Sequence, residues 1–428
     1  MMNDRTPYLP RLIDETIIEK LGYMGAICIE GPKWCGKTRT ALHHSRSMFS
    51  VDDPSNSYQN RKLAMMDPDL VLSGEIPRTI DEWQEVPSLW DAVRSNVDRR
   101  NPEKGLFIMT GSATPNDGDI IHSGVGRIST IKMRTMSLFE SRDSTGAITI
   151  RSMFDGSFKN VMIGDVRLEH LVFLTARGGW PGSLGLSEAE ALKIAPDYID
   201  GVVRNDLKKL NDKSRDEIKF QMLLRSLARN ESTVVSKKTI LSDIQEYEGY
   251  GIGTSTLDAY LNDLQRLHLT DNCEPFNPRL RAKDRIGKSV KRHFVDPSLA
   301  IAALGVTPSM LMNDLETYGF MFEAMCNRDL KIYADALGGR LYHYRDKEGY
   351  ELDAVLILND GRWGAFEIKL GFYQVDDGAD NLNKVCDYIG SNSRVGPPVF
   401  KCVICGMSSA AFRRDDDVYV VPITALRN

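Results

Sequence analysis

From Gly25 to His44 the chain reads as a strand, a loop and a helix in immediate succession, and this run fixes more about the fold than any other segment. Gly25-Ala26-Ile27-Cys28-Ile29-Glu30 is short and almost wholly apolar, as a strand buried on both faces must be. The octet Gly31-Pro32-Lys33-Trp34-Cys35-Gly36-Lys37-Thr38 follows, and Thr38 to His44 continues without Pro or Gly. The octet fits G-x-x-x-x-G-K-[ST], the phosphate-binding loop pattern. Two glycines let the backbone wrap an anion while successive N–H groups point at it. Lys37 is the residue expected to bridge the β- and γ-phosphates, and the Thr38 hydroxyl is expected to ligate Mg²⁺. Pro32, Lys33, Trp34 and Cys35 contribute backbone. ATP and Mg²⁺ are therefore the expected cofactors.

Further strand-like segments follow. Met48-Phe49-Ser50-Val51-Asp52 reads as a second strand and Thr79-Ile80-Asp81-Glu82 as the end of a third. In a hydrolysing P-loop ATPase an Asp-Glu pair at a strand's C-terminal end divides the work. The Asp holds the metal through water, and the Glu polarises the attacking water. Asp81 is thus a candidate metal ligand and Glu82 a candidate catalytic base. The segments before them, Glu75-Ile76-Pro77-Arg78, are less apolar than a central strand should be, and a solvated capping acid is the bland alternative for Asp81. Leu106-Phe107-Ile108-Met109-Thr110-Gly111-Ser112 is an apolar strand ending in hydroxyl residues, and Ser112 or Thr110 is the expected polar sensor of the γ-phosphate. In this class of ATPase that strand lies between the other two. A nucleotide kinase competes for any P-loop, but the acid pair and the hydroxyl-bearing strand end argue against one.

With 428 residues the chain is too long for one core, and two to four domains are expected. Its longest apolar runs fall far short of a membrane span, and Met-Met-Asn-Asp-Arg is no secretory signal, so a cytoplasmic location is expected. The 7 cysteines are scattered and odd in number, against a disulfide framework. Cys402-Val-Ile-Cys405 sits in a strand-like stretch with no second Cys or His pair, and reads as reduced core and not as a zinc site. A net charge of −5 means that any bound nucleic acid is held by local patches.

Taken in order, Tyr8-Leu9-Pro10-Arg11, Gly31 to Thr38, Ile80 to Pro87, Thr110-Gly111-Ser112 and Gly126-Arg127 resemble a family of prokaryotic AAA-type P-loop ATPases whose members carry a long uncharacterised C-terminal region. Members commonly read Gly-Pro-Arg-Gln-x-Gly-Lys-Thr in the loop, where this chain has Lys33 and Trp34. The resemblance implies a sheet with the phosphate-loop strand at its centre. It also makes Arg127 a candidate finger for charge developing on the transferred phosphoryl group. The alternative for Arg127 is a solvated structural charge. If it acts in trans, a homo-oligomer is implied.

Residues 141–168 look like turns joining short strands at that domain's edge, Gly178-Gly179-Trp180-Pro181-Gly182 is a rigid turn, and Tyr198 to Leu210 reads as helix. From Glu217 to Thr270 the pattern is three helices, the last with Leu257, Tyr260, Leu261, Leu264 and Leu267 on one stripe. This resembles a winged helix whose exposed face carries Asp258, Asp263 and only Arg266, poor equipment for a groove lined by phosphates. The basic run over 279–292 (Arg279, Arg281, Lys283, Arg285, Lys288, Lys291, Arg292) is expected either to contact DNA as a wing or to form a solvated hairpin or a contact with an acidic partner domain.

Glu351 to Leu358, the turn Asn359-Asp360-Gly361 and Arg362 to Leu370 make a hairpin by turn chemistry. Centred on Asp360, it sets Asp353 opposite Glu367, with Lys369 on the same face by the period of two. Opposed acids repel, and a divalent cation relieves that. The Asp353…Glu367-x-Lys369 arrangement resembles the PD-(D/E)-x-K nuclease core. The resemblance implies that Asp353 and Glu367 bind Mg²⁺, that Lys369 orients or activates water, and that Glu323 on a preceding helix completes the site. A row of solvated ion pairs is the alternative.

The expected architecture is α/β: an AAA-type P-loop ATPase domain over 1–140, a connector over 141–210, a winged-helix-like domain over 211–300, and a restriction-endonuclease-like domain over 301–428. The expected function is ATP hydrolysis coupled to a nuclease-like domain acting on nucleic acid, with DNA as a candidate partner through the 279–292 run and the C-terminal domain. The runner-up is an ATP-dependent regulatory switch whose nuclease-like fold no longer cuts.

Overall fold

The structure is a computed structural model describing residues 7–115, 118–207, 216–249, 251–278, 290–392 and 395–428. The chain divides into two compact units, one formed by residues up to 135 with 266–268 and the other by the remainder.

The first unit is built on a five-stranded parallel sheet: β1 (Ala26–Glu30), β2 (Ser47–Ser50), β3 (Arg78–Asp81), β4 (Phe107–Gly111) and β5 (Ile128–Lys132), in the order β2-β3-β4-β1-β5. Every residue of β4 and the first four of β1 are buried, which is why these segments read as unbroken apolar runs. The strand bearing the hydroxyls does lie between the phosphate-loop and acid-pair strands. One expectation fails: β4, and not the phosphate-loop strand β1, is central, because a single strand, β5, lies beyond β1. Helix Ser88–Arg99 buries Leu89, Trp90, Val93 and Val97 against Ala26, Cys28, Phe107 and Met109.

In the second unit an eight-stranded sheet combines β7 (Val161–Met162), β8 (Glu274–Pro275), β9 (Gly339–Arg345), β10 (Glu351–Leu358), β11 (Trp363–Lys369), β12 (Phe400–Cys405), β13 (Ala410–Arg413) and β14 (Val418–Pro422), in the order β7-β13-β14-β12-β11-β10-β9-β8. β6 (Ile148–Thr149) pairs with β15 (Leu426–Arg427). The strands within 141–168 thus do not edge the first domain. They pair with β13 and β15, at the far end of the chain. Trp180 is fully buried and donates its indole N–H to Ser298 Oγ at 2.9 Å, so the glycine-rich turn is anchored in this unit's core. Ile194–Gly201 is helical and continues through Val202–Asp206, and the expected helix end at 208–210 falls outside the described residues.

Three helices, Glu217–Arg229, Lys237–Glu248 and Thr254–Arg266, are followed by short pairings of Thr270 with Phe294 and of Lys291 with both Val234 and Cys273. Arg229 bridges Asp243 and Glu248, locking the first two helices. Asp263 was expected on the exposed face of the third helix. It is buried, on the same side as Leu257, Tyr260 and Leu264. Cys402 and Cys405 are free thiols inside β12, as the reduced-core reading requires. No helix among the described residues is long and apolar enough to cross a membrane.

Candidate active site and a lysine-filled acidic site

The phosphate loop leaves β1 through Gly31, where a Cβ would lie 2.1 Å from the Met133 carbonyl oxygen, so glycine is required by close approach. Gly36 turns the loop into helix Lys37–His43 at φ +105°, a left-handed conformation that glycine adopts freely. Trp34 is also left-handed, at φ +63°, and its ring is exposed. Arg11, nearly buried, donates from Nη1 to the Cys35 carbonyl at 2.8 Å and from Nη2 to the carbonyls of Arg134 and Thr135. It ties the loop to the chain just after β5. Lys37 is buried, and its Nζ donates to the Gly31 and Pro32 carbonyls at 2.9 and 2.8 Å.

The residues singled out beyond the loop converge on it. Thr38 Oγ1 donates to Asp81 Oδ1 at 2.8 Å, and Thr110 Oγ1 donates to the same oxygen at 2.5 Å. The Thr110 hydroxyl also accepts the Glu82 N–H at 3.2 Å. Ser112 Oγ donates to Glu82 Oε2 at 2.7 Å, and Gln84 Nε2 donates to that oxygen at 2.5 Å. Glu82 sits at φ +55°, ψ +44°, a strained conformation for a side chain of this size, and the turn aims its carboxylate back across the strand ends. Burial raises the Asp81 carboxyl above the usual range, against the pull of the Thr110 and Thr38 hydroxyls. A buried carboxylate beside a threonine hydroxyl at a loop's exit is a hard-oxygen donor set suited to Mg²⁺. Thr38 and Asp81 are the residues that could hold it, and Lys37 with the loop amides could hold a triphosphate. Gln84 and Arg11 had no role assigned from sequence. Gln84 lies two residues past the acid pair on a short turn, a position with no motif of its own.

Arg127 is not brought to this cluster. It precedes β5, at the strand-start edge of the sheet, whereas the loop leaves the opposite end of β1. A five-residue strand puts roughly 16 Å between those edges. Its guanidinium pairs with Asp98 at 2.8 Å and is half-exposed.

The second cluster lies at the β10–β11 hairpin. The register is the one turn chemistry predicts from Ile357 opposite Trp363 to Ala354 opposite Phe366, where the ladder stops; against β9, β10 shifts register between Leu352 and Val355, so the expected pairing of Asp353 with Glu367 is not part of the ladder. Asp353 Oδ2 accepts the Ile368 N–H at 2.9 Å. Glu367 Oε2 accepts from Lys369 Nζ at 2.8 Å and Oε1 from Asn381 Nδ2 at 3.0 Å, the asparagine lying on helix Val375–Asn392. Glu323 reaches the cluster from helix Leu315–Ala336.

One occupant was not foreseen. Lys291, from the basic run expected to contact DNA, to form a solvated hairpin or to contact an acidic partner domain, is only 2% exposed, and its ammonium pairs with Glu323 and with Asp353 at 3.5 Å. Arg279, Arg281, Lys283, Arg285 and Lys288 lie outside the described residues, and Arg292 is half-buried. Burial alone would depress the Lys291 ammonium, but the Glu323 and Asp353 carboxylates hold its pKa well above the ordinary lysine value. Burial raises Glu323 and Glu367, each further raised by Asp353 and partly relieved by its lysine. Among the described residues no three His, Cys, Asp or Glu side chains are set to hold a metal ion. The expected metal set Glu323, Asp353 and Glu367 is therefore present as a cluster but does not fit a divalent ion as it stands, because the Lys291 ammonium stands between Glu323 and Asp353.

Comparison with known proteins gives three family matches along the chain. An AAA domain model matches residues 24–141, a domain of unknown function, DUF8612, matches 168–310, and another, DUF4143, matches 318–426. An uncharacterized protein of Mycobacterium bovis and one of Mycobacterium tuberculosis are each 23% identical over 349 residues, covering 80% of this chain and 70% of theirs. Among solved structures, the chain is similar to a Walker-type ATPase of Pyrococcus abyssi, with TM-score 0.41 and 14% identity over 70% of this chain and 97% of that one. It is also similar to a RuvB variant of Thermotoga maritima, with TM-score 0.27 and 15% identity over 60% of this chain and 88% of that one. The AAA match spans the loop, the acid pair and the hydroxyl strand, and the first part of the chain has an ATPase-like P-loop fold.

Proposed function

We propose that the chain hydrolyses ATP with Mg²⁺ and that its nucleotide state governs a nuclease-like C-terminal domain that engages nucleic acid. The observation carrying the first half is the continuous hydrogen-bonded chain from Thr38 through Asp81 and Thr110 to the Glu82 amide, with Ser112 and Gln84 on the Glu82 carboxylate. In this reading Lys37 and the amides of Gly31 to Thr38 bind the triphosphate, and Thr38 and Asp81 hold the metal. Bound Mg²⁺ neutralises charge on the phosphates. Glu82 accepts the proton of the attacking water, and Ser112 and Gln84 hold its carboxylate oriented. Arg127 serves a neighbouring subunit's site, since within its own chain it stands at the other edge of the sheet, and a homo-oligomer follows.

For the second half, the three-helix segment with the Thr270–Phe294 and Cys273–Lys291 pairings supports a winged-helix reading, and the Asp353, Glu367 and Lys369 hairpin supports a nuclease-like one. The position of Lys291 favours the non-cutting form: a regulatory switch whose nuclease-like site is filled by the chain's own cations. Two assays test the whole. Purified protein should release phosphate from ATP only with Mg²⁺, and Lys37→Ala should lose nucleotide binding. Supercoiled plasmid incubated with protein, ATP and Mg²⁺ or Mn²⁺ should stay intact. Nicking that Asp353→Ala abolishes would restore the cutting reading, and Mg²⁺-independent or absent phosphate release would reject the ATPase one.

A further inference from the structure

Lys291 is delivered to the acidic cluster by its backbone. Its N–H donates to the Cys273 carbonyl and its carbonyl accepts the Cys273 N–H, both at 2.9 Å, and it also bridges Val234. A lysine held in this way and only 2% exposed is no surface side chain that folded inward. Lysine is almost never buried unless paired, and here the partners are Glu323 and Asp353, from a helix and a strand that are far apart in sequence.

We propose that Lys291 is the resident cation of this cluster, standing where a divalent ion would otherwise join Glu323 to Asp353, so that the native chain takes up no such ion there and a neutral side chain at 291 creates a divalent-cation site. The proposal rests on the nuclease-like reading of β10 and β11.

Charge and coordination point the same way. Three carboxylates, Glu323, Asp353 and Glu367, face two ammonium groups, Lys291 and Lys369. A divalent ion added to that set would leave a buried excess of positive charge beside the Lys291 ammonium, which is 2% exposed, where repulsion is stronger than in bulk water. Without Lys291 the excess is two negative charges, the amount one divalent ion neutralises. The remaining oxygens are engaged in ways a metal site tolerates: Asp353 Oδ2 by the Ile368 amide, and Glu367 by Lys369 and Asn381. Only Lys291 occupies the bridging position between the helix acid and the strand acid. The helix acid and the strand acid are thus both within reach of one cation, and that cation is the lysine.

The test is Mn²⁺ binding to the full-length, nucleotide-free chain, followed by titration calorimetry and by the paramagnetic signal of free Mn²⁺. Wild type and Lys291→Arg should show no uptake that Asp353→Asn abolishes. Lys291→Met, confirmed folded by circular dichroism, should bind one Mn²⁺ per chain at least about ten-fold more tightly than wild type, and the Lys291→Met/Asp353→Asn double variant should lose it. A second measurement uses wild type alone, in case Lys291→Met fails to fold. Under native conditions an amine-acetylating reagent should leave Lys291 unmodified with or without Mn²⁺. Wild-type uptake of one Mn²⁺ that Asp353→Asn abolishes, or Lys291 acetylation that rises with Mn²⁺, overturns the inference and leaves the nuclease-like reading standing. A folded Lys291→Met chain that takes up no Mn²⁺ overturns both.

Discussion

Thr110→Val replaces a hydroxyl by a methyl of nearly equal volume at a position with no solvent exposure, so its effects isolate the hydrogen bonds. The hydroxyl donates to Asp81 Oδ1 at 2.5 Å and accepts the Glu82 N–H at 3.2 Å. Its loss leaves Asp81 with Thr38 alone among these hydroxyls and leaves the Glu82 amide, in its left-handed turn, without this acceptor. Leaving a buried polar group unsatisfied costs about 1–3 kcal/mol. If that cost is felt where Glu82 must be held in place, turnover falls roughly 10- to 100-fold, since about 1.4 kcal/mol is one factor of ten. Lys37 and the loop amides are untouched, so nucleotide affinity should change by no more than about two-fold, well under 1 kcal/mol. Steady-state phosphate release gives the first quantity and titration with a fluorescent ATP analogue the second. Hydrogen exchange across residues 79–86 should speed up at the Glu82 amide. Turnover within two-fold of wild type, with that amide still protected, would refute the idea that Thr110 anchors the acid pair.

Other outcomes follow from the same geometry. Arg127→Ala should depress turnover, and mixing it with Lys37→Ala protomers should restore part of it, because each supplies what the other lacks; no recovery on mixing would remove the trans role. Glu231 is buried, and burial raises its carboxyl from 4.5 to about 8, while burial beside Lys331 and Lys291 keeps His293, 2.9 Å away, neutral. A carboxyl raised in the fold favours folding below its unfolded pKa, and that contribution is lost as pH rises through the folded value. Between about pH 5 and 8 wild type should therefore lose stability relative to Glu231→Gln, by about 3–4 kcal/mol, in urea titrations at each pH. A flat difference across that window would contradict a neutral Glu231. Asn381→Leu removes the donor to Glu367 Oε1 and should lower stability by about 1–2 kcal/mol without changing ATP turnover, read by denaturation and phosphate release on the same samples.

Much of the first unit was legible because β1 and β4 are buried on both faces and its loop pattern encodes backbone geometry. Gly31 and Gly36 are needed for a close approach and a left-handed turn, and those demands survive any change of neighbours. The hairpin was legible as far as Ala354 and Phe366, since Asn359-Asp360-Gly361 fixes the turn, but a register shift between Leu352 and Val355 breaks the period of two and sets Leu352 in one core cluster with Val355 and Ala365. Failures cluster where tertiary contact overrides local composition. Lys291 sits in a basic run, and nothing within that run marks one lysine as destined for a buried acid pair. Asp263 was assigned to a solvent face by its charge, yet it follows Tyr260 by three residues and so lies on the buried side of the helix, while Asp258, Asn262 and Gln265 remain exposed. The strands within 141–168 pair with β13 and β15, partners more than two hundred residues away that short-range pattern cannot find. Gln84 and Arg11 act on the site by reaching back to groups the motif already holds, so no spacing of their own gives them away.

Nucleotide binding and turnover measured side by side in Glu82→Gln bear most directly on the claim that this loop belongs to a hydrolysing ATPase. The substitution keeps shape and removes the acceptor for water's proton, while Lys37, Thr38 and Asp81 keep their partners. Affinity for ATP in Mg²⁺ should match wild type within about two-fold, and turnover should fall by about 100-fold or more. Wild-type turnover in Glu82→Gln would contradict the account.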